Sequence, residues 1–256
     1  MQFEEGSVRE IAKHVWVREA VDNCTWALVD DFVVIVDALE ESRLASEVLG
    51  AIGKTARKPV RYLVNTHWHG DHTACNTAFA EAGATVIAHD SAGTAAKRAG
   101  DGRPDLTFDA TLTIRGGSRR VVLRDAAGTH TPGDIIVCFE WTRVVCVGDL
   151  FGWGLIPLTR ITDEQTERIL RIVQRVISLD PEIVVPGHGP RATTAHLRRW
   201  IEYFEWLLDE VPKLKAAGKS VREIQDALPM PDDMTDWWRF DWKHPHNVEQ
   251  VARQAG

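Results

Sequence analysis

No stretch of this sequence approaches the ~18 consecutive apolar residues of a membrane span. The longest strong run is Phe32-Val33-Val34-Ile35-Val36, so a soluble protein with no membrane partner is expected. The first twenty residues carry early acidic side chains and no apolar core of signal-peptide length, which points to a cytoplasmic protein. Cysteine is scarce. Cys24, Cys75, Cys138 and Cys146 lie in apolar or alternating contexts without a CxxC spacing, so buried free thiols are expected and disulfides are not. Basic charge is in deficit, 30 Lys and Arg against 37 Asp and Glu, a net −7. That balance disfavours nucleic acid and anionic lipid, which need a basic surface; a small-molecule substrate is the expected partner.

Against these absences stands one dense stretch, His67-Trp68-His69-Gly70-Asp71-His72. Three imidazoles and a carboxylate in six residues serve few structural needs, and they are good ligands for a divalent cation. Strand Val60 to Val64 runs directly into it, and Thr73 to Ala82 reads as an Ala-rich helix ended by Gly83. The stretch is therefore a strand-to-helix loop. Alternation points His67 and His69 the same way, whereas Asp71 and His72 can face a second point.

Short strands are expected over 14–17, 25–29 and 32–36, the last buried on both faces and ending at Asp37. A helix over Glu40 to Ile52, ended by Gly53, precedes the histidine loop; strand 84–88 and a helix over 91–99 follow it. Further strands are expected near 111–114, 119–123, 135–139 and 144–147. Helix Asp163 to Leu179 opens on a Thr162-x-x-Gln165 capping box, and strand 182–185 comes next. Three more ligand-type residues stand at strand ends beside Gly or Pro: His130 in GTHTPGD, Asp149 in VGDL and His188 in PGHG.

With these motifs in this order the sequence resembles the metallo-β-lactamase superfamily over residues 10 to 195. The resemblance implies an α+β fold, a four-layer αββα sandwich with the site at the edge between two sheets. It implies a catalytic domain over 1–195 and leaves 196–256 as a helical extension packed on the same domain. His67, His69 and His130 would hold one metal, Asp71, His72 and His188 a second, with Asp149 bridging. Two zinc ions are expected, although iron or manganese would accept the same donors. Asp37 would orient a ligand histidine through its other ring nitrogen.

Such a pair of ions makes hydroxide available near neutral pH, and Asp71 is expected to orient it and shuttle its proton. The expected reaction is hydrolysis of a small ester, lactone, thioester or amide. Departures from the family's patterns narrow it. The chain has no lysine from 98 to 212 and aspartate where lactamases of one class have a ligand cysteine, which argues against β-lactams as the native substrate. Leu150-Phe151-Gly152-Trp153 follows Asp149 where signal lactonases carry a tyrosine, and the only tyrosines are Tyr62 and Tyr203. The rival class is an iron-dependent oxidoreductase of the same superfamily; a β-lactamase or phosphodiesterase is a further alternative.

Candidate substrate contacts are Trp68, Trp153, Leu155 and Ile156 as apolar walls and Arg160 as an anion contact. After Pro190, apolar residues at helical spacing (Leu197, Trp200, Ile201, Phe204, Leu207, Leu208, Val211) mark a face that must be covered. It could pack on the domain, close over the site, or pair two subunits as a homodimer. Half of the ten tryptophans lie in this tail.

Overall fold

The computed structural model describes residues 6–92, 103–156 and 162–254. Two sheets face each other. The first has seven strands in chain order: β1 (Ser7–Ala12), β2 (Val15–Glu19), β3 (Cys24–Val29), β4 (Phe32–Val36), β5 (Val60–Val64), β6 (Thr85–His89) and β7 (Leu106–Phe108). It is antiparallel from β1 to β4 and parallel from β4 to β7. The second has five, in the order β12-β11-β10-β9-β8: β8 (Thr111–Gly116), β9 (Arg119–Asp125), β10 (Ile135–Phe139), β11 (Val144–Gly148) and β12 (Ile183–Pro186).

Strand alternation explains the layering. Val34 and Val36 of β4 meet Ile135, Val137 and Phe139 of β10 between the sheets. Val33 and Ile35 face outward onto α1 (Ala45–Thr55) and α2 (Asn76–Glu81) through Val48, Ile52 and Phe79. On the far side Ile136 and Cys138 face α3 (Asp163–Ser178), α4 (Thr194–Ala216) and α6 (Phe240–Gln254). The αββα sandwich and the doubly buried β4 are thus as expected, and all four cysteines are buried and free.

Several boundaries move. Gly53 does not end α1: neither it nor Gly50 meets any atom within 4 Å of an added Cβ. The helix continues to Thr55 and stops where Arg57 turns left-handed (φ 53°), its N–H returning to the Ile52 oxygen at 3.1 Å. The helix expected over 73–82 shrinks to α2 because the ligand loop first makes a 3₁₀ turn over Gly70–His72. Strands β1 and β7 were not anticipated; both lie at sheet edges and carry exposed residues that blur the apolar alternation. The helix expected over 91–99 lies beyond residue 92 outside the described residues.

The tail buries the face foreseen for it. Leu197, Trp200, Phe204, Leu207 and Val211 of α4 are buried in the outer core. Gly218, at φ 80°, ends the run, and Ser220 caps the short helix α5 (Val221–Ala227). The final helix α6 was missed because Pro245 interrupts its pattern. Among the described residues no helix is long and apolar enough to cross a membrane.

Candidate metal centre

The loops at one edge of the sandwich carry every expected donor. His67 to His72 follow β5, His130 lies between β9 and β10, Asp149 follows β11 and His188 follows β12. The Ile135 N–H donates to the Thr66 oxygen at 2.7 Å, joining the sheets beside the donors. Across the same edge Asn23 donates to the oxygens of Pro186 (2.9 Å) and Gly189 (2.7 Å), fixing the His188 turn.

The donors form two groups: His67, His69, His130 and Asp149; and Asp71, His72 and His188. In the first, His69 Nδ1 stands 3.1 Å from both His67 Nε2 and His130 Nε2. In the second, His188 Nε2 lies 3.4 Å from His72 Nε2 and from Asp71 Oδ2. Asp149 sits between them, with Oδ2 at 3.2 Å from His188 Nε2 and 3.6 Å from His130 Nε2, and Oδ1 at 3.4 Å from His72 Nε2.

This packing of ring nitrogens fits metal ions. Two nitrogens on one tetrahedral zinc, each ~2.0–2.1 Å from it, stand roughly 3.3 Å apart, which is the spacing here. Without a cation, facing lone pairs and buried carboxylates would have little to hold them together. Burial, then the neighbouring His72, holds His67 well below 6.5, so it offers a neutral, ligating nitrogen. Burial alone would raise Asp149, but charge on His72 and hydrogen bonds from His188 and His72 hold it well below 3.8, ionised.

A second set of side chains aims the donors. Asp37 accepts from the Thr66 N–H (2.7 Å) and hydroxyl (2.9 Å), and its Oδ2 lies 3.1 Å from His72 Nδ1. The Thr66 hydroxyl in turn reaches His67 Nδ1 at 3.2 Å. Sequence reasoning missed two others. Asp22 Oδ1 holds His188 Nδ1 at 2.9 Å. Buried Asp134 accepts from the Thr129, His130 and Thr131 N–H groups and both threonine hydroxyls, shaping the loop that presents His130. Its place four residues after His130 was the available signal. Glycines give the room: a Cβ on Gly187 would lie 2.1 Å from Asp149 Oδ1.

A family model described as the metallo-beta-lactamase superfamily matches residues 19–188. The chain belongs to that superfamily. Members similar to it include a type 2 metallo-beta-lactamase from Bacillus sp. (strain 170), 27% identical over 199 residues, 72% of this chain and 76% of the relative. A hydroxyacylglutathione hydrolase from Anaeromyxobacter dehalogenans (strain 2CP-C) is 33% identical over 130 residues, 50% of this chain and 48% of that protein. In fold, a metallo-beta-lactamase from Pontibacter korlensis superposes with TM-score 0.68 at 22% identity, covering 79% of this chain and 98% of its own. The stereoselective inverting sec-alkylsulfatase Pisa1 from Pseudomonas sp. reaches TM-score 0.75 at 13% identity over 97% of this chain and 50% of its own. Like its relatives in the superfamily, the protein is a metal-dependent hydrolase.

A cavity of about 350 Å³ opens over His130, Asp149 and His188. Leu155 and Ile156 line it, as do Trp238, Trp242, Arg239 and Lys243 from the tail. The tail is therefore both packing and cavity wall. Trp153 is a correction: it is buried against Trp237 and His196 (ring centroids 5.6 and 4.8 Å), its indole N–H donating to the Pro190 oxygen. The left-handed turn at Trp153 (φ 53°) leaves the wall to Leu155 and Ile156. Trp68 packs edge-on to the His69 ring at 4.9 Å and is not among the residues lining the cavity. Arg160 lies outside the described residues.

Proposed function

We propose that the protein is a dinuclear zinc hydrolase that cleaves a small ester, lactone or thioester with an apolar portion. The observation that supports it best is the convergence of seven donors in two adjoining groups, of which His130, Asp149 and His188 line a cavity with aromatic and aliphatic walls. His67, His69 and His130 would hold one ion and Asp71, His72 and His188 the other. Bound there, the ions would lower the pKa of water to about 7 and polarise the scissile carbonyl.

The chain's own groups do the rest. Asp71 has a part-exposed carboxylate 3.4 Å from His188, where it accepts the proton of the attacking water and passes it to the leaving group. Asp37 and Asp22, through His72 Nδ1 and His188 Nδ1, keep the opposite ring nitrogens turned to the centre. Leu155, Ile156 and Trp242 receive the apolar portion and exclude bulk water. The likeness to a hydroxyacylglutathione hydrolase favours thioesters within this range.

A hydrolysis panel of lactones, aryl esters, thioesters, phosphodiesters, sulfate esters and a chromogenic β-lactam, run with zinc, manganese and iron, tests this reading. Metal analysis should find two zinc ions per chain and turnover of carboxylic or thioesters. Stoichiometric iron with O₂ consumption would overturn it.

A further inference from the structure

We propose that the cavity is built for a substrate that joins its apolar portion to one anionic group, received by Lys243 and Arg239. This rests on the hydrolase reading and adds its substrate class. Lys243 is only 2% exposed, yet it has no carboxylate partner at ion-pair distance among the described residues. Two of its three N–H groups donate to the oxygens of Gly152 and Trp238, both at 2.8 Å, and the third finds no acceptor among the described residues. Arg239 is likewise without a carboxylate there. Both cations lie over one indole, Lys243 Nζ at 4.4 Å and the Arg239 guanidinium at 4.7 Å from the Trp238 ring centre.

Two like charges against one indole repel each other, and the buried one, Lys243, costs free energy unless an anion joins them. Burial first, then Arg239, lowers Lys243 to about 7 against the opposing pull of Asp149 and Asp241, and an anion bound beside it would draw the proton back on. Holding the Gly152 loop needs only a hydrogen-bond donor, so it explains neither the second cation nor the missing counter-charge. Both side chains line the cavity that has Asp149 and two histidines at its floor. An anion there would sit beside Trp238, with Trp242, Leu155 and Ile156 left for the apolar portion.

The test uses two esters of the same alkyl chain, one ending in a carboxylate and one in a neutral amide, with the metal-loaded enzyme. The wild type should prefer the anionic ester by about tenfold or more in kcat/KM, less at high salt. Arg239→Gln and Lys243→Gln should each reduce that preference by about tenfold, chiefly through KM. Because both esters need the same loop, a purely structural loss lowers them together and keeps the ratio. Calorimetric titration with hexanesulfonate, a poor metal ligand, against hexanol gives a readout free of turnover. Sulfonate binding that weakens about tenfold in both variants supports the proposal even if no ester is cleaved, an outcome that would count against the hydrolase reading alone. An unaltered ester preference, or equal sulfonate binding in wild type and variants, overturns it.

Discussion

Lys243 Nζ donates to the main-chain oxygen of Gly152 at 2.8 Å, so a side chain of the last helix holds the loop that follows Asp149. Asn247, one turn on, adds bonds to the Gly154 oxygen (2.8 Å) and from the Ile156 N–H (3.1 Å). The helical tail is thereby tied to the cavity wall. Asn247→Ala would leave these buried main-chain groups unpaired and should cost about 2–4 kcal/mol. Urea unfolding measures that cost; turnover of a panel substrate should fall while bound metal stays at the wild-type level.

Lys243 also makes stability depend on pH. Its folded value, lowered to about 7, lies below the ordinary 10.5. Between these limits the unfolded chain holds the proton that the folded chain has released, so stability rises with pH from about 7 to 10 and is lost on going down. The contribution should approach roughly 1 kcal/mol per pH unit. Urea midpoints at pH 7, 8 and 9 should show the wild type gaining on Lys243→Met; parallel curves would refute the assignment.

Asp37→Asn keeps the size of a side chain that serves Thr66 and His72 together, but replaces one acceptor oxygen by a donor. Affinity for the metal of the Asp71, His72 and His188 group should fall about 10- to 100-fold. Competition with a chromophoric chelator reads this directly, and little change would reduce Asp37 to a strand-end cap.

Gly187→Ala places a Cβ 2.1 Å from Asp149 Oδ1 and 2.7 Å from His72 Cε1. One of these donors must move, so bound metal should fall below the wild-type content, with turnover lost in parallel. The far-UV circular dichroism should stay that of the folded wild type. Full metal occupancy in this variant would show that Asp149 does not bridge.

The seven donors were legible because each ends a strand and sits in a short motif with Gly or Pro, a signal contained in a few consecutive residues. Asp37 could be read from its place at the end of an apolar strand. β4 and β10 were plain from unbroken apolar runs. The partners of the donors were not: Asp22 is separated from His188 by most of the chain, and nothing beside it in sequence marks it as different from any exposed aspartate. Trp153 was misread because a left-handed residue turns the loop and reverses which side chains face the cavity.

The sequence by itself determined the family, the layered fold and the metal-binding chemistry, since these follow from local periodicity and closely spaced ligands. Only the tertiary structure decided what surrounds the metal centre. Lys243 and Asn247 meet the Gly152 to Ile156 loop across about ninety residues of chain, and Pro245 hides their helix from any periodicity. Contacts of that kind depend on how two remote segments pack, which no spacing within either segment encodes.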